Sequence, residues 1–298
     1  DLAVGCPHHT NRPMMLTKKC PLLARALMLA ALLLTACGGN EGGPTVTNMS
    51  AADIRYNGTM TVSVSGRLLG EGVTLTADKG CENFAKKTGG DNEAVQFTCR
   101  VTAAGDVFVR ARNSADDTIA SLRVEVPLPQ VTLATTAGTI VVELDPTNAP
   151  LTVANFVAYV SAKFYDGMII HRVDDQLFQS GTYLPGPKAK VPNRTPILLE
   201  SNVGLKNLRG AIAMARLDGQ PDSALAEFFV NTRDNPEFDR QNNENPGYAV
   251  FGAVVSGLDV VDKIKAAAVR SVTLDGSNVL LLNVPVVDIR ITNITQTR

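Results

Sequence analysis

Few positions in this chain of 298 residues combine a reactive side chain with surroundings that could use it. The clearest is Arg172, in the run Ile170-His171-Arg172-Val173, which follows the turn signal Asp166-Gly167. A guanidinium offers about five N–H donors in one plane and keeps its charge. At the rim of an apolar strand it can bind or polarise a lone pair, or it can be a plain charge at a strand end. Other chemistry has little to draw on. Of the three histidines, His8 and His9 lie in the first ten residues, so only His171 is left for a metal site and none is expected. Gly38-Gly39 and Gly42-Gly43 are not a phosphate loop, because no strand precedes them and no Lys-Ser or Lys-Thr closes the motif. No cofactor is expected.

An arginine in that role needs a rigid frame, and the pattern around it is mainly β. Val131-Thr132-Leu133-Ala134 and Thr139-Ile140-Val141-Val142-Glu143-Leu144 flank a hairpin signal at Ala137-Gly138. Val153, Phe156, Val157 and Val160 fall at i, i+3, i+4 and i+7, one amphipathic helix, with Asn148 as its cap and Pro150 in its first turn. Strands are expected after Gly210 and at Phe228-Phe229-Val230, where the two Phe rings should face opposite sides. Another is expected at Tyr248-Ala249-Val250-Phe251-Gly252, continuing through Val254-Val255. Leu258, Val261 and Ile264 mark a second helix after Ser256-Gly257, and residues 284–291 should close the sheet. Strands with two widely spaced helices fit a closed antiparallel barrel capped by helices. This domain spans residues 130–298.

Upstream, residues 45–126 alternate as in Thr59-Met60-Thr61-Val62-Ser63-Val64-Ser65 and read as a small Ig-like β-sandwich. The absence of Trp rules out the Cys-Trp-Cys arrangement of a true immunoglobulin domain. Pro127-Leu128-Pro129 is a stiff linker over 127–129. Cys81 and Cys99 read as a disulfide in an exported chain, with two free thiols as the alternative.

The export reading comes from the N-terminus. Lys18, Lys19 and Arg25 precede an apolar run over 26–34, too short for a membrane span, and Leu34-Thr35-Ala36-Cys37 is similar to a bacterial lipobox. Residues 15–36 then form a lipoprotein signal, Cys37 carries the lipid, and 37–44 is a Gly-rich tether. The alternative is a plain signal that is cleaved. Residues 1–14 precede any sensible signal and read as an upstream start artefact. Gly38, where an Asp would resemble an inner-membrane retention signal, points to the outer membrane, facing the periplasm of a Gram-negative bacterium. Elsewhere Lys and Arg are scattered and the formal net charge is -1, which gives no nucleic-acid-binding stripe.

Four segments together carry a resemblance. Tyr165-Asp166-Gly167 with His171-Arg172-Val173, Asn207-Leu208-Arg209-Gly210 through Met214-Ala215-Arg216, Glu227-Phe228-Phe229-Val230, and Tyr248-Ala249-Val250-Phe251-Gly252 occur in order and at similar spacing to the cyclophilin family of peptidyl-prolyl isomerases. The resemblance covers residues 131–294 and implies an eight-stranded barrel capped by two helices. It also implies proline-containing exported polypeptides as substrates and catalysis of rotation about the X-Pro amide. Arg172 becomes the donor to the twisted amide nitrogen, with Gln179 orienting it. Ile170, Leu177, Phe178, Met214, Phe229, Phe238 and Tyr248 become the apolar cup and its rim. The backbone of Ala215 and Arg216 would pair with extended substrate.

Three departures bear on activity. The loop after Arg172-Val173 is one residue shorter than usual, which unsettles one aromatic wall. Glu227, at a substrate-binding position, replaces a glutamine; ionised, it cannot donate to a substrate carbonyl, and it could instead pair with Arg172, fixing or partly neutralising it. Glu237 replaces a rim aromatic and would favour basic or polar substrates. The alternative to an active isomerase is a weakly active or inactive cyclophilin-like peptide-binding module or chaperone.

Overall fold

A computed structural model describes residues 42–298 except 71 and 275. The upstream-start reading of 1–14, the signal at 15–36, the lipidation site Cys37 and the tether as far as residue 41 lie outside the described residues. Seven strands come first: β1 (Thr45–Ala52), β2 (Thr59–Arg67), β3 (Thr74–Ala77), β4 (Cys81–Lys86), β5 (Ala94–Val101), β6 (Gly105–Arg112) and β7 (Thr118–Val126). They form two antiparallel sheets, ordered β1-β2-β5-β4 and β3-β6-β7. Their alternation has a plain cause. Met60, Val62 and Val64 of β2 and Val95, Phe97, Cys99 and Val101 of β5 are buried, while the residues between them are more exposed. Cys81 and Cys99 form a disulfide between the adjacent strands β4 and β5, with Cα atoms 5.7 Å apart.

The remaining elements are β8 (Gln130–Thr135), β9 (Gly138–Leu144), α1 (Pro150–Ser161), β10 (Ile170–Val173), β11 (Leu177–Ser180), β12 (Tyr183–Leu184), β13 (Lys188–Ala189), β14 (Ala211–Met214), β15 (Phe228–Asn231), β16 (Val250–Ser256), α2 (Leu258–Lys265), β17 (Val269–Thr273), β18 (Leu280–Pro285) and β19 (Ile291–Gln296). Eight of them make one antiparallel sheet, ordered β10-β11-β15-β14-β16-β9-β8-β19. Its two ends meet. Gly167 N–H donates to Ile291 O (2.8 Å), Ile291 N–H to Met168 O (2.8 Å) and Ile170 N–H to Ile289 O (2.9 Å), so the barrel is nearly closed. Phe156 of α1 packs against Tyr165, Phe228 and Phe251 at centroid separations of 5.4, 5.5 and 5.1 Å. Each such burial contributes about 1.5–3 kcal/mol. No helix among the described residues is long and apolar enough to cross a membrane.

Two local expectations are corrected. Asn148 does not cap α1; its amide donates to Asp145 (2.7 Å). Glu200 takes that role from a distant loop, accepting Leu151 N–H (3.1 Å) and Thr152 N–H (2.8 Å), where a carboxylate also complements the helix dipole. Residues 284–291 do not close the sheet as one strand; only their end, through Ile289 and Ile291, takes part in the closure. Val284 and Pro285 end β18, which pairs with β17 in a separate hairpin, and Pro285 has no N–H to extend a ladder. β19 is the closing strand, paired with β8.

Candidate active site

The position of Arg172 follows from sheet register. Arg172 of β10 lies opposite Gln179 of β11, Gln179 opposite Phe229 of β15, and Phe229 opposite Ala213 of β14. Residues directly opposite one another project from the same face, so Arg172, Gln179 and Phe229 form a row on the outer surface of the barrel. The alternate residues point inward. Phe178 and Phe228 belong to the main core, and the two adjacent Phe rings do face opposite sides.

A concavity of about 220 Å³ opens beside this row. Leu177, Ala215, Phe229, Phe238 and Tyr248 supply its apolar surface, and Arg172, Gln176, Gln179, Arg216 and Asp218 its polar edge. Phe229 meets Phe238 and Tyr248 edge-on, with centroids 5.8 and 5.4 Å away. Such contacts fix the rings beyond simple burial. Arg216 stacks over Tyr248, 4.8 Å from the ring centroid, while its Nε donates to Gly247 O (3.0 Å). The main-chain turn at Gly247 needs glycine: its φ is +67°, and a Cβ there would lie 2.5 Å from Arg240 N.

Arg172 is held on one side by Asp174, through Nε (2.9 Å) and Nη2 (2.7 Å), and reaches Gln179 Oε1 from Nη1 (3.5 Å). Three contacts leave roughly two of five guanidinium N–H groups for a ligand. Gln179 in turn donates from Nε2 to Glu227 Oε1 (2.8 Å), and buried His171 donates from Nε2 to the same oxygen (2.9 Å). Burial pushes the Glu227 carboxyl up, but bonds from His171, Gln179 and Thr182 outweigh it and hold the group below the usual glutamate range. The approach of this segment depends on Gly181, whose φ is +111° and whose missing Cβ would sit 2.6 Å from Ala226 O and 2.9 Å from Glu227 Cα.

The structure thus gathers Arg172, Leu177, Gln179, Ala215, Arg216, Phe229, Phe238 and Tyr248 around one cup. Four residues expected there are elsewhere. Phe178 and Met214 point into the main core, because they alternate with Leu177 and Ala215, which face the cup. Ile170 is also in the core, since a register shift between Ile170 and Arg172 breaks the two-residue alternation that would have put both outside. Glu227 does not line the cup and does not pair with Arg172; it sits behind Gln179, and its partners are His171 and Gln179. Ala215 N–H already donates to Glu227 O (2.9 Å), so it is not available to an added strand.

Glu237 is tied to Arg233 (2.9 Å) and Gln176 (2.7 Å). A bond to its own backbone N–H, then those from Gln176 and Arg233, hold its carboxyl below the usual range. His171, Asp174 and Gln176 were not singled out from sequence. Adjacency to Arg172 is the only signal His171 and Asp174 carried, while Gln176 stands where the shortened loop left one wall unassigned. Among the described residues, no three His, Cys, Asp or Glu side chains come together as metal ligands.

Residues 130–296 match the family described as cyclophilin type peptidyl-prolyl cis-trans isomerase/CLD. Peptidyl-prolyl cis-trans isomerase B of Escherichia coli (strain K12) is 45% identical over 141 residues, which is 46% of this chain and 85% of that protein. Peptidyl-prolyl cis-trans isomerase A of Dickeya dadantii (strain 3937) is 44% identical over 143 residues, 48% of this chain and 74% of that protein. Peptidyl-prolyl cis-trans isomerase cyp18 of Streptomyces antibioticus is 46% identical over 145 residues, 47% and 86% of the two chains.

Proposed function

The chain belongs to the cyclophilin-type peptidyl-prolyl cis-trans isomerase family, and from that premise we propose that Arg172 is its catalytic donor and that it acts on proline-containing polypeptides at the bacterial envelope. Isomerase activity follows from the family. The physical task is to lower a barrier of about 18–20 kcal/mol that resonance gives the amide C–N bond. Twisting that bond breaks the resonance and returns a lone pair to the proline nitrogen. A donor aimed at the nitrogen then stabilises the transition state more than the planar ground state. No covalent intermediate is required.

The observation that carries the assignment is the free side of Arg172. Asp174 and Gln179 fix the guanidinium from behind, and its remaining N–H groups border a cup floored by Phe229. The proline ring would rest on Phe229, Leu177 and Phe238, with the rest of the peptide crossing near Ala215 and Arg216. Isomerisation of Xaa-Pro peptides by the protein and by Arg172→Ala tests this. Loss of a preorganised donor should lower kcat/KM by about 10²–10³-fold. Equal, near-background rates for both proteins would reject the isomerase reading and favour a peptide-binding module.

The envelope location rests on the sequence alone. A lipid on Cys37 and the Gly-rich segment after it would tether the chain at the outer membrane on the periplasmic side. Residues 45–126 would then act as a spacer domain that holds the cup away from the bilayer, and newly exported chains would be the substrates.

A further inference from the structure

The turn after Arg172 holds a carboxylate whose two oxygens do different work. Asp174 Oδ1 accepts the backbone N–H of Gln176 (2.9 Å) and of Leu177 (3.0 Å), closing the reversal from β10 to β11. Asp174 Oδ2 takes Nε and Nη2 of Arg172 (2.9 and 2.7 Å). The backbone completes the turn, with Asp174 N–H donating to Leu177 O (3.0 Å). The side chain of Asp174 is only 19% exposed, against 43% for Arg172, so the anchored end of the pair is the carboxylate and the mobile end is the guanidinium. A long, half-exposed arginine with one weak contact to Gln179 would otherwise sample several rotamers, each unfavourable for a donor that must meet one nitrogen.

We infer that Asp174 is a positioning residue for the isomerisation: it transmits the rigidity of the shortened turn to Arg172 and aims the unused N–H groups at the cup. This rests on the reading of Arg172 as the donor. The same oxygen pair explains how the loop works without the usual wall. Gln176, whose backbone N–H Asp174 fixes, lines the cup and is held in turn at its tip by Glu237.

Asp174→Asn separates the two roles. Its amide oxygen can still accept Gln176 and Leu177 N–H and keep the turn, which then points an NH₂ donor at the guanidinium, itself donor-only. Wild type, Asp174→Asn, Asp174→Ala and Arg172→Ala are compared by kcat and KM on an Xaa-Pro peptide and by melting temperature. The expected result for Asp174→Asn is a kcat lower by about tenfold, within the roughly hundredfold penalty for a misplaced group, with KM and melting temperature near wild type. Asp174→Ala should lose kcat and melt earlier as well. Wild-type kcat in Asp174→Asn, while Arg172→Ala is impaired, overturns the inference and leaves the isomerase reading standing. A kcat loss in Asp174→Asn that appears only with an equally early melt overturns it too, assigning the residue to the fold alone. If wild type itself matches Arg172→Ala, the underlying reading has failed, whatever Asp174 does.

Discussion

Glu227→Gln gives the sharpest test of how the polar side of the cup is wired. The carboxylate accepts two side-chain bonds on one oxygen, from His171 (2.9 Å) and Gln179 (2.8 Å). Bonds to a charged acceptor contribute about 1.5–3 kcal/mol and neutral ones about 0.5–1.5. Removing the charge while keeping the shape therefore loses about 1 kcal/mol per bond. Relief of the carboxylate's burial cost returns part of that, which leaves a net loss of about 1 kcal/mol at neutral pH. In a domain of this size that is a melting temperature lower by about 2–4 °C. The sign with pH is fixed. The folded carboxyl sits below its ordinary value, so its stabilisation is fully present above the unfolded value, about 4.3, and is lost as pH falls through the lower folded value.

Melting curves of wild type and Glu227→Gln should therefore differ at pH 7 and converge on acidification below about pH 4. A gap that is absent at pH 7, or that persists undiminished well below about pH 4, would refute the reasoning. Activity gives an independent check. Because Glu227 does not contact Arg172, the substitution should not raise kcat/KM, and a several-fold gain would mean that the carboxylate restrains the arginine after all.

Phe229→Ala removes the floor of the cup and the edge contacts to Phe238 and Tyr248. It should cost about 3 kcal/mol of stability and raise KM for Xaa-Pro peptides about tenfold or more; an unchanged KM would place the proline ring elsewhere. Cys37→Ala should move the protein from the membrane pellet to the soluble fraction of cells, whereas unchanged membrane association would remove the lipid-anchor proposal.

Much of the fold, in the upstream sheets as well as in the barrel, was legible because its signals are local. Alternation along β2 and β5, the hairpin between β8 and β9, and the apolar stripe of α1 each follow from residues a few positions apart. Arg172, Phe229 and Tyr248 were legible because each sits in one of the four motifs, and Gln179 because it follows Arg172 on the next strand of the same hairpin. The misassigned residues share a different cause. Met214 and Ala215 cannot both face the cup from one extended segment, nor can Leu177 and Phe178, so strand parity alone would have removed Met214 and Phe178. Ile170 needed more, because the register shift that turns it inward is set by pairing with β11. Glu227 was matched to Arg172 as the nearest opposite charge. Its actual partners depend on the close approach at Gly181, which brings Glu227 beside Gln179 and His171. Asp174 bonds two residues back and two and three forward, a geometry that exists only once the turn has formed.

The charges around the cup change what its rim can select. Taken singly, Glu237, Asp175 and Asp174 suggest an acidic edge attractive to basic peptides. Each already has a cation: Glu237 has Arg233 at 2.9 Å, Asp175 has Lys265 at 2.8 Å, and Asp174 has Arg172 at 2.7 Å. Exposed pairs of this kind contribute only about 0–1 kcal/mol to stability, so their main consequence is neutralisation. The opposite wall differs, since Arg216 lies flat on Tyr248 with its Nε committed to Gly247 O, which orients the guanidinium and leaves it charged. On the proposed reading, a peptide would meet a rim whose carboxylates Glu237, Asp175 and Asp174 are already paired, and discrimination would pass to the apolar floor and to the unspent donors of Arg172. That division would suit a catalyst that accepts many sequences around a single proline ring, because the floor would read the ring and the guanidinium only the nitrogen that the twisted amide exposes.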